Sequence, residues 1–138
     1  GVICRTLAPK PDKRDAKAAH AVLEAGFWEG GGGAPIFRKW WPQLRKDSEF
    51  DPALLFLAIE GKDVIGMAQC WTSAFIKDLA VQPRARKRGV GRALMLTTFH
   101  AFAKRGAPHV DLKVREENAN AQRLYCDLGM TIVSRDAD

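Results

Sequence analysis

The stretch Val81-Gln82-Pro83-Arg84-Ala85-Arg86-Lys87-Arg88-Gly89-Val90-Gly91-Arg92-Ala93-Leu94 constrains this chain more than any other. An apolar run, Phe75 to Val81, leads into it. From Gly91 to Lys104, Ala93, Leu94, Thr97 and Ala101 then recur on one side at helical spacing. The order is therefore strand, turn, helix. The first turn of a helix offers backbone N–H groups without internal partners, at the positive end of the helix dipole. Glycines at 89 and 91 keep Cβ atoms away from those amides, and Arg84, Arg86, Lys87, Arg88 and Arg92 add positive charge. A turn of this kind cradles phosphate.

The spacing Arg86-x-x-Gly89-x-Gly91 is not that of a Walker loop, which needs Gly-Lys-Ser/Thr after a longer gap. Nor is it the G-x-G-x-x-G of a dinucleotide fold. It resembles the pyrophosphate loop of the GNAT N-acetyltransferases, Q/R-x-x-G-x-G/A, here preceded by Val81 and Pro83. Further on, Asn118 stands at a helix start, Tyr125 follows seven residues later, and then come Gly129 and Met130. This second stretch resembles the other signature of the same family.

The resemblance implies an α/β (α+β) fold, a mixed central sheet of about six strands flanked by about four helices. Residues 1–138 would form one acyl-CoA N-acyltransferase domain. The implied activity is direct transfer of the acetyl group of acetyl-CoA (coenzyme A) to a primary amine of a small molecule or protein, both substrates being bound together. The alternative is a non-catalytic acyl-CoA sensor of the same fold. In the family, the backbone equivalent to Arg86, Lys87, Arg88, Gly89, Val90, Gly91 and Arg92 binds pyrophosphate. The resemblance also puts Leu79, Ala80 and Val81 beside the pantetheine arm, Asn118 on the cofactor side, and Tyr125 near the sulfur as general acid for the thiolate. The other reading of Tyr125 is a core residue on an amphipathic helix.

An alkylammonium has a pKa near ~10.4, so a proton must leave it before it attacks a thioester. Polyamine-type members of the family carry an acidic pair early in the fourth strand, where this chain has Lys77-Asp78. Asp78 is the candidate base or amine-binding group, or else a surface partner of Lys77, and the lysine favours the sensor reading. Glu24, Glu29 and Glu49 are further candidates. Cys126 neighbours Tyr125, but adjacent helix residues point apart. His20, His100 and His109 read as surface or structural residues.

Composition narrows the partners. A hydrophobic fraction of 46% and a charged fraction of 28% are those of an ordinary soluble globular chain. No apolar run approaches membrane-spanning length and no secretion-signal layout opens the chain, so a cytoplasmic protein without membrane contact is expected. The net charge of +6 suits an anionic partner, and coenzyme A accounts for much of it through the loop from Arg84 to Arg92. No basic stripe interleaved with aromatics points to nucleic acid. The three cysteines, Cys4, Cys70 and Cys126, lack metal-ligand spacing, so reduced thiols and no metal are expected.

Along the chain, Val2 to Leu7 reads as a strand, and Asp12 caps a helix over Lys13 to Ala25 that Gly26 stops. Glu29 to Ala34, with its run of glycines, reads as a loop. Pro35 opens a second helix carrying Ile36, Phe37, Trp40, Trp41 and Leu44, which Pro42 should end or kink. Phe27, Trp28, Phe37, Trp40 and Trp41 edge the acceptor side or form core. Leu54 to Glu60 and Val64 to Trp71 make a hairpin about Gly61-Lys62-Asp63. His109 to Val114 is a strand, Asn118 caps a helix to Leu128, and Met130 to Ser134 is a last strand. Nine residues follow Gly129. The family's seventh strand is therefore either missing or supplied by a partner chain, which favours a homodimer.

Overall fold

Three successive strands, apolar on both faces, build the centre of the sheet: β2 (Leu55–Glu60), β3 (Asp63–Trp71) and β4 (Phe75–Val81). β1 (Val2–Thr6) and β5 (Asp111–Leu112) flank them in the order β1-β2-β3-β4-β5. All pairings are antiparallel except β4 with β5. The computed structural model describes residues 1–29, 34–114 and 118–131, without the side chains of 27–29. The helices are α1 (Lys13–Glu29), α2 (Phe37–Lys46), α3 (Val90–Lys104) and α4 (Ala119–Asp127).

The helices cover opposite faces. On one side α1 and α2 bring Ala16, Val22, Trp40 and Leu44 onto Leu55, Leu57, Met67 and Ala80. On the other, Val90, Leu94, Met95 and Phe102 of α3 pack on Phe56, Ala58, Ala68 and Ile76, with Tyr125 and Leu128 of α4 against the same cluster. Covering both faces is why β2 and β3 read as continuous apolar runs.

Local signals set most boundaries. Asp12 Oδ1 accepts from the Arg14 N–H at 2.7 Å, and Asn118 Oδ1 from the Ala121 N–H at 3.1 Å, so both cap as expected. Gly26, expected as a stop, lies within α1 instead. A Cβ there would stand 3.1 Å from the Ala80 Cβ, so this glycine lets the helix lie close on the sheet. Pro42 also lies inside a helix rather than ending it. The disrupted helix costs about 3 kcal/mol. Burying Trp40, Trp41 and Leu44 outweighs that, at ~1.5–3 kcal/mol for each large side chain. His20 pins the start of α2: its Nε2–H donates to the Pro35 carbonyl at 2.6 Å, and its ring rests on Phe37 and Trp40.

The strand count is five among the described residues, not six. Met130 and Thr131 are not strand, and residues 132–138, where the rest of the last strand was expected, lie outside the described residues, as do the glycines at 30–33. β5 is also shorter than His109 to Val114, because β4 and β5 part after Ile76 and Leu112. No helix among the described residues is long and apolar enough to cross a membrane.

Close packing of α3 on β3 depends on Gly66, where a Cβ would stand 2.9 Å from both Val90 Cγ1 and Leu94 Cδ1. Both neighbours are buried and Val90 is stiff, so Gly66→Ala should cost about 1–3 kcal/mol, measured by urea unfolding.

Candidate active site

β4 ends at Val81, and the Gln82 N–H donates to the Ile65 carbonyl at 2.8 Å. One 3-10 turn (Pro83–Ala85) follows, plugged into the core by buried Ala85. Lys87 (φ 64°) and Gly89 (φ 80°) then both take left-handed backbone, at a cost of about 1–2 kcal/mol for the lysine. α3 starts with no side-chain cap, and its first backbone bond is from the Ala93 N–H to the Gly89 carbonyl at 3.0 Å. The N–H groups of Val90, Gly91 and Arg92 therefore have no described acceptor, and a Cβ on Gly89 would meet nothing within 4 Å. Gly91 has a second role, since a Cβ there would touch Leu124 of α4 at 3.4 Å.

The basic residues divide. Arg84 pairs with Asp63 at 3.6 Å, and Arg88 makes a two-point pair with Glu60, bracing the loop against the β2–β3 hairpin. The Arg88 hydrogen bond holds the Glu60 carboxyl below its usual range. Exposed Lys87 and Arg92 carry no ion pair to a described residue.

Beside this loop, the second half of β4 pairs with β3 alone, through Asp78↔Gln69, Leu79↔Ala68, Ala80↔Met67 and Val81↔Gly66. Among the described residues nothing pairs with its other edge, so backbone groups there are open to an extended ligand.

A β-bulge shapes the strand. The register passes from Gln69↔Asp78 to Cys70↔Ile76, so Lys77 is the extra residue. Ile76 packs on the α3 side, whereas Asp78 falls in step with Ala80 on the α1/α2 side. Asp78 is no surface carboxylate: it is 8% exposed, with Lys77 Nζ 3.3 Å from Oδ2. Burial pushes its pKa up, and nearby Lys77 offsets this only in part. Tyr125, half-buried on α4, packs against the core cluster on the α3 side, and burial raises its pKa too, so the phenol keeps its proton near neutrality. Its hydroxyl bonds to no described residue.

An uncapped helix start, a strand edge that no described residue pairs and a buried carboxyl group thus follow one another along the chain from Asp78 to Arg92. The sequence model of the acetyltransferase (GNAT) family matches residues 18–130. The chain belongs to the acetyltransferase (GNAT) family.

Its relatives agree. A mycothiol acetyltransferase of Thermomonospora curvata is 41% identical over 88 residues, 59% of this chain and 29% of that protein. One of Streptomyces scabiei is 29% identical over 143 residues, 99% of this chain and 45% of that protein. The chain thus spans half or less of the length of these relatives. Among solved structures, AAC(6')-Iy in complex with the bisubstrate analog CoA-S-monomethyl-acetylneamine superposes with a TM-score of 0.76 at 17% identity, covering 100% of this chain and 96% of that one. For a GNAT chain the cofactor is acetyl-CoA, and the uncapped α3 start, the space beside Gly89 and the open edge of β4 fit it.

Other candidates lie elsewhere in this GNAT domain. Glu49 holds the β3–β4 turn, accepting from the Ser73 N–H at 2.9 Å, and Glu24 is exposed on α1. Trp40 and Trp41 are core, each 6% exposed, and Phe37 packs against them; the side chains of Phe27, Trp28 and Glu29 lie outside the described residues. Cys126 faces solvent, away from the side of Tyr125. Burial pushes the Cys70 thiol up to about 12, leaving it inert as a nucleophile. His100 is exposed, and His109 lies 3.3 Å from Asp111. Sequence reasoning missed the bulge and Gln69, which lies opposite Asp78; the only signal was a polar residue in the apolar run of β3.

Gly89→Asp should abolish acetyl-CoA binding in calorimetry, because it puts an L side chain at positive φ and a carboxylate in the nest. Asp78→Asn has a stability signature. The folded state holds the Asp78 proton to higher pH than the unfolded chain does, so this group's contribution falls as pH rises from the ordinary carboxylate value through the raised one. Thermal melts should show Asp78→Asn more stable than wild type at neutral pH, the gain shrinking as pH is lowered toward the carboxylate range.

Proposed function

We propose that residues 1–138 act as one N-acetyltransferase domain that passes an acetyl group from acetyl-CoA to the primary amine of a small molecule. What supports the proposal is the uncapped start of α3 together with the stretch of β4 before it, which carries the buried Asp78 and whose outer edge no described residue pairs. When bound, acetyl-CoA supplies an acyl group activated as a thioester. The N–H groups of the loop from Arg86 to Arg92 take its pyrophosphate, Lys87 and Arg92 add charge, and the backbone from Leu79 to Val81 aligns the pantetheine arm. Asn118 keeps α4, and with it Tyr125, in place through its cap.

Asp78 takes a proton from the acceptor's ammonium, and its raised pKa suits that task better than an ordinary carboxylate would. Tyr125 gives a proton to the departing sulfur. A new C–N bond forms and the C–S bond breaks; the second proton lost by the amine nitrogen restores the Tyr125 phenol, and the one taken by Asp78 goes to solvent. Lys77 restrains Asp78 without neutralising it, because its own side chain is 44% exposed.

Names of relatives support a small-molecule acceptor: mycothiol acetyltransferases by sequence, and an aminoglycoside acetyltransferase solved in complex with sisomicin by fold. The free thiols Cys4, Cys70 and Cys126 are in keeping with a cytoplasmic protein.

Thiol release with a panel of amines, amino sugars included, tests the assignment. Tyr125→Phe should lower turnover at least tenfold, about 1.4 kcal/mol of barrier, with acetyl-CoA affinity nearly unchanged. Acetyl-CoA binding without thiol release for any amine would favour the sensor reading.

A further inference from the structure

Gln69 on β3 is fully buried, and its amide is only half used. Nε2 donates to the Cys70 carbonyl at 3.0 Å, while Oε1, closed off from solvent, accepts from no described group. Reversing the amide would set oxygen against the Cys70 carbonyl oxygen, so the orphan atom is the acceptor. A buried acceptor left unmet is costly and calls for a donor.

Asp78 lies directly opposite Gln69 in the β3–β4 register, and the pleat sends both side chains to the α1/α2 face, in step with Met67 and Ala80. Opposed residues of an antiparallel pair have Cβ atoms about 4.5–5.5 Å apart, within reach of each other's polar ends. Lys77 engages Oδ2 of Asp78, and no described donor engages Oδ1. Facing oxygens repel while the carboxylate is charged and attract once it carries a hydrogen. Of the other ionisable groups on elements packed against β4, the Cys70 thiol of β3 feels the Asp78 charge but, pushed up to about 12, stays protonated near neutrality, and the exposed Arg92 and His100 of α3 belong to the opposite layer. His20 of α1 is turned to the Pro35 carbonyl, Glu24 of α1 is exposed, and Asp111 of β5 is paired with His109.

We propose that Gln69 Oε1 receives the carboxyl hydrogen of Asp78, which makes Gln69 a positioning residue for the proton that leaves the acceptor amine. The inference rests on the reading of Asp78 as the base. An N–H bond of the ammonium breaks, its electron pair stays on nitrogen, and the proton forms an O–H bond at Oδ1 that donates to Oε1. Solvent then takes the proton and restores the carboxylate. By favouring the protonated form, Gln69 strengthens Asp78 as a base.

Gln69→Met keeps the side chain's length and burial and removes the acceptor. Carboxyl-carbon NMR should show the Asp78 midpoint falling by roughly half a unit to one unit in this variant. The acid limb of kcat/KM should move the same way. Asp78→Asn, whose Nδ2–H can replace the carboxyl hydrogen, should raise Tm less in the Gln69→Met background than in wild type. An unchanged midpoint with additive Tm changes would overturn the pair. A midpoint that falls while the acid limb stays put would uphold the pair and overturn Asp78 as base. Should Gln69→Met not fold, the wild-type Gln69 side-chain amide nitrogen still reports: it should titrate with Asp78, and a pH-independent resonance refutes the contact.

Discussion

One extra residue in β4, Lys77, decides what each layer of this domain faces. Side chains on a strand alternate with a period of two, so without the bulge Asp78 would share a face with Ile76 and point into the α3 layer. The bulge lets Ile76 complete the core under α3 while Asp78 joins the α1/α2 layer. It lies close to where β4 and β5 part. The bulge thus sets a buried carboxyl group at the start of the stretch of β4 whose outer edge no described residue pairs.

The loop from Arg86 to Arg92 is held by a different logic. Its left-handed residues and uncapped helix start are unfavourable by themselves, and fixed contacts around it maintain them: Ala85 in the core, the Arg88–Glu60 pair, and Gly91 against Leu124. The arginines that brace the loop have their charge offset by Asp63 and Glu60, which leaves exposed Lys87 and Arg92, without an ion pair to a described residue, to attract an anion. On the other layer, His20 and the Trp40–Trp41 pair stiffen the start of α2 rather than present rings to a ligand.

Much of this was legible in the chain itself. The loop from Val81 to Leu94, the Asn118 cap and the seven-residue step to Tyr125 depend on local backbone chemistry and helical spacing, which short-range sequence carries. So do the left-handed glycines that end α3 and α4, Gly106 and Gly129. Burial reversed other local signals. Gly26 breaks no helix because Ala80 needs the space it leaves, and Pro42 is tolerated because two tryptophans and a leucine lie beneath it.

The sequence by itself determined the family, the strand, turn and helix from Phe75 to Lys104, and the residues proposed as acid and base, because each is a pattern of neighbours along the chain. Tertiary structure alone decided which face Asp78 takes, that it is buried rather than a surface partner of Lys77, and that Gln69 stands opposite it with an unmet oxygen. Register and bulges arise from pairing between strands, and burial from the helices laid over them, so both depend on residues far apart in sequence.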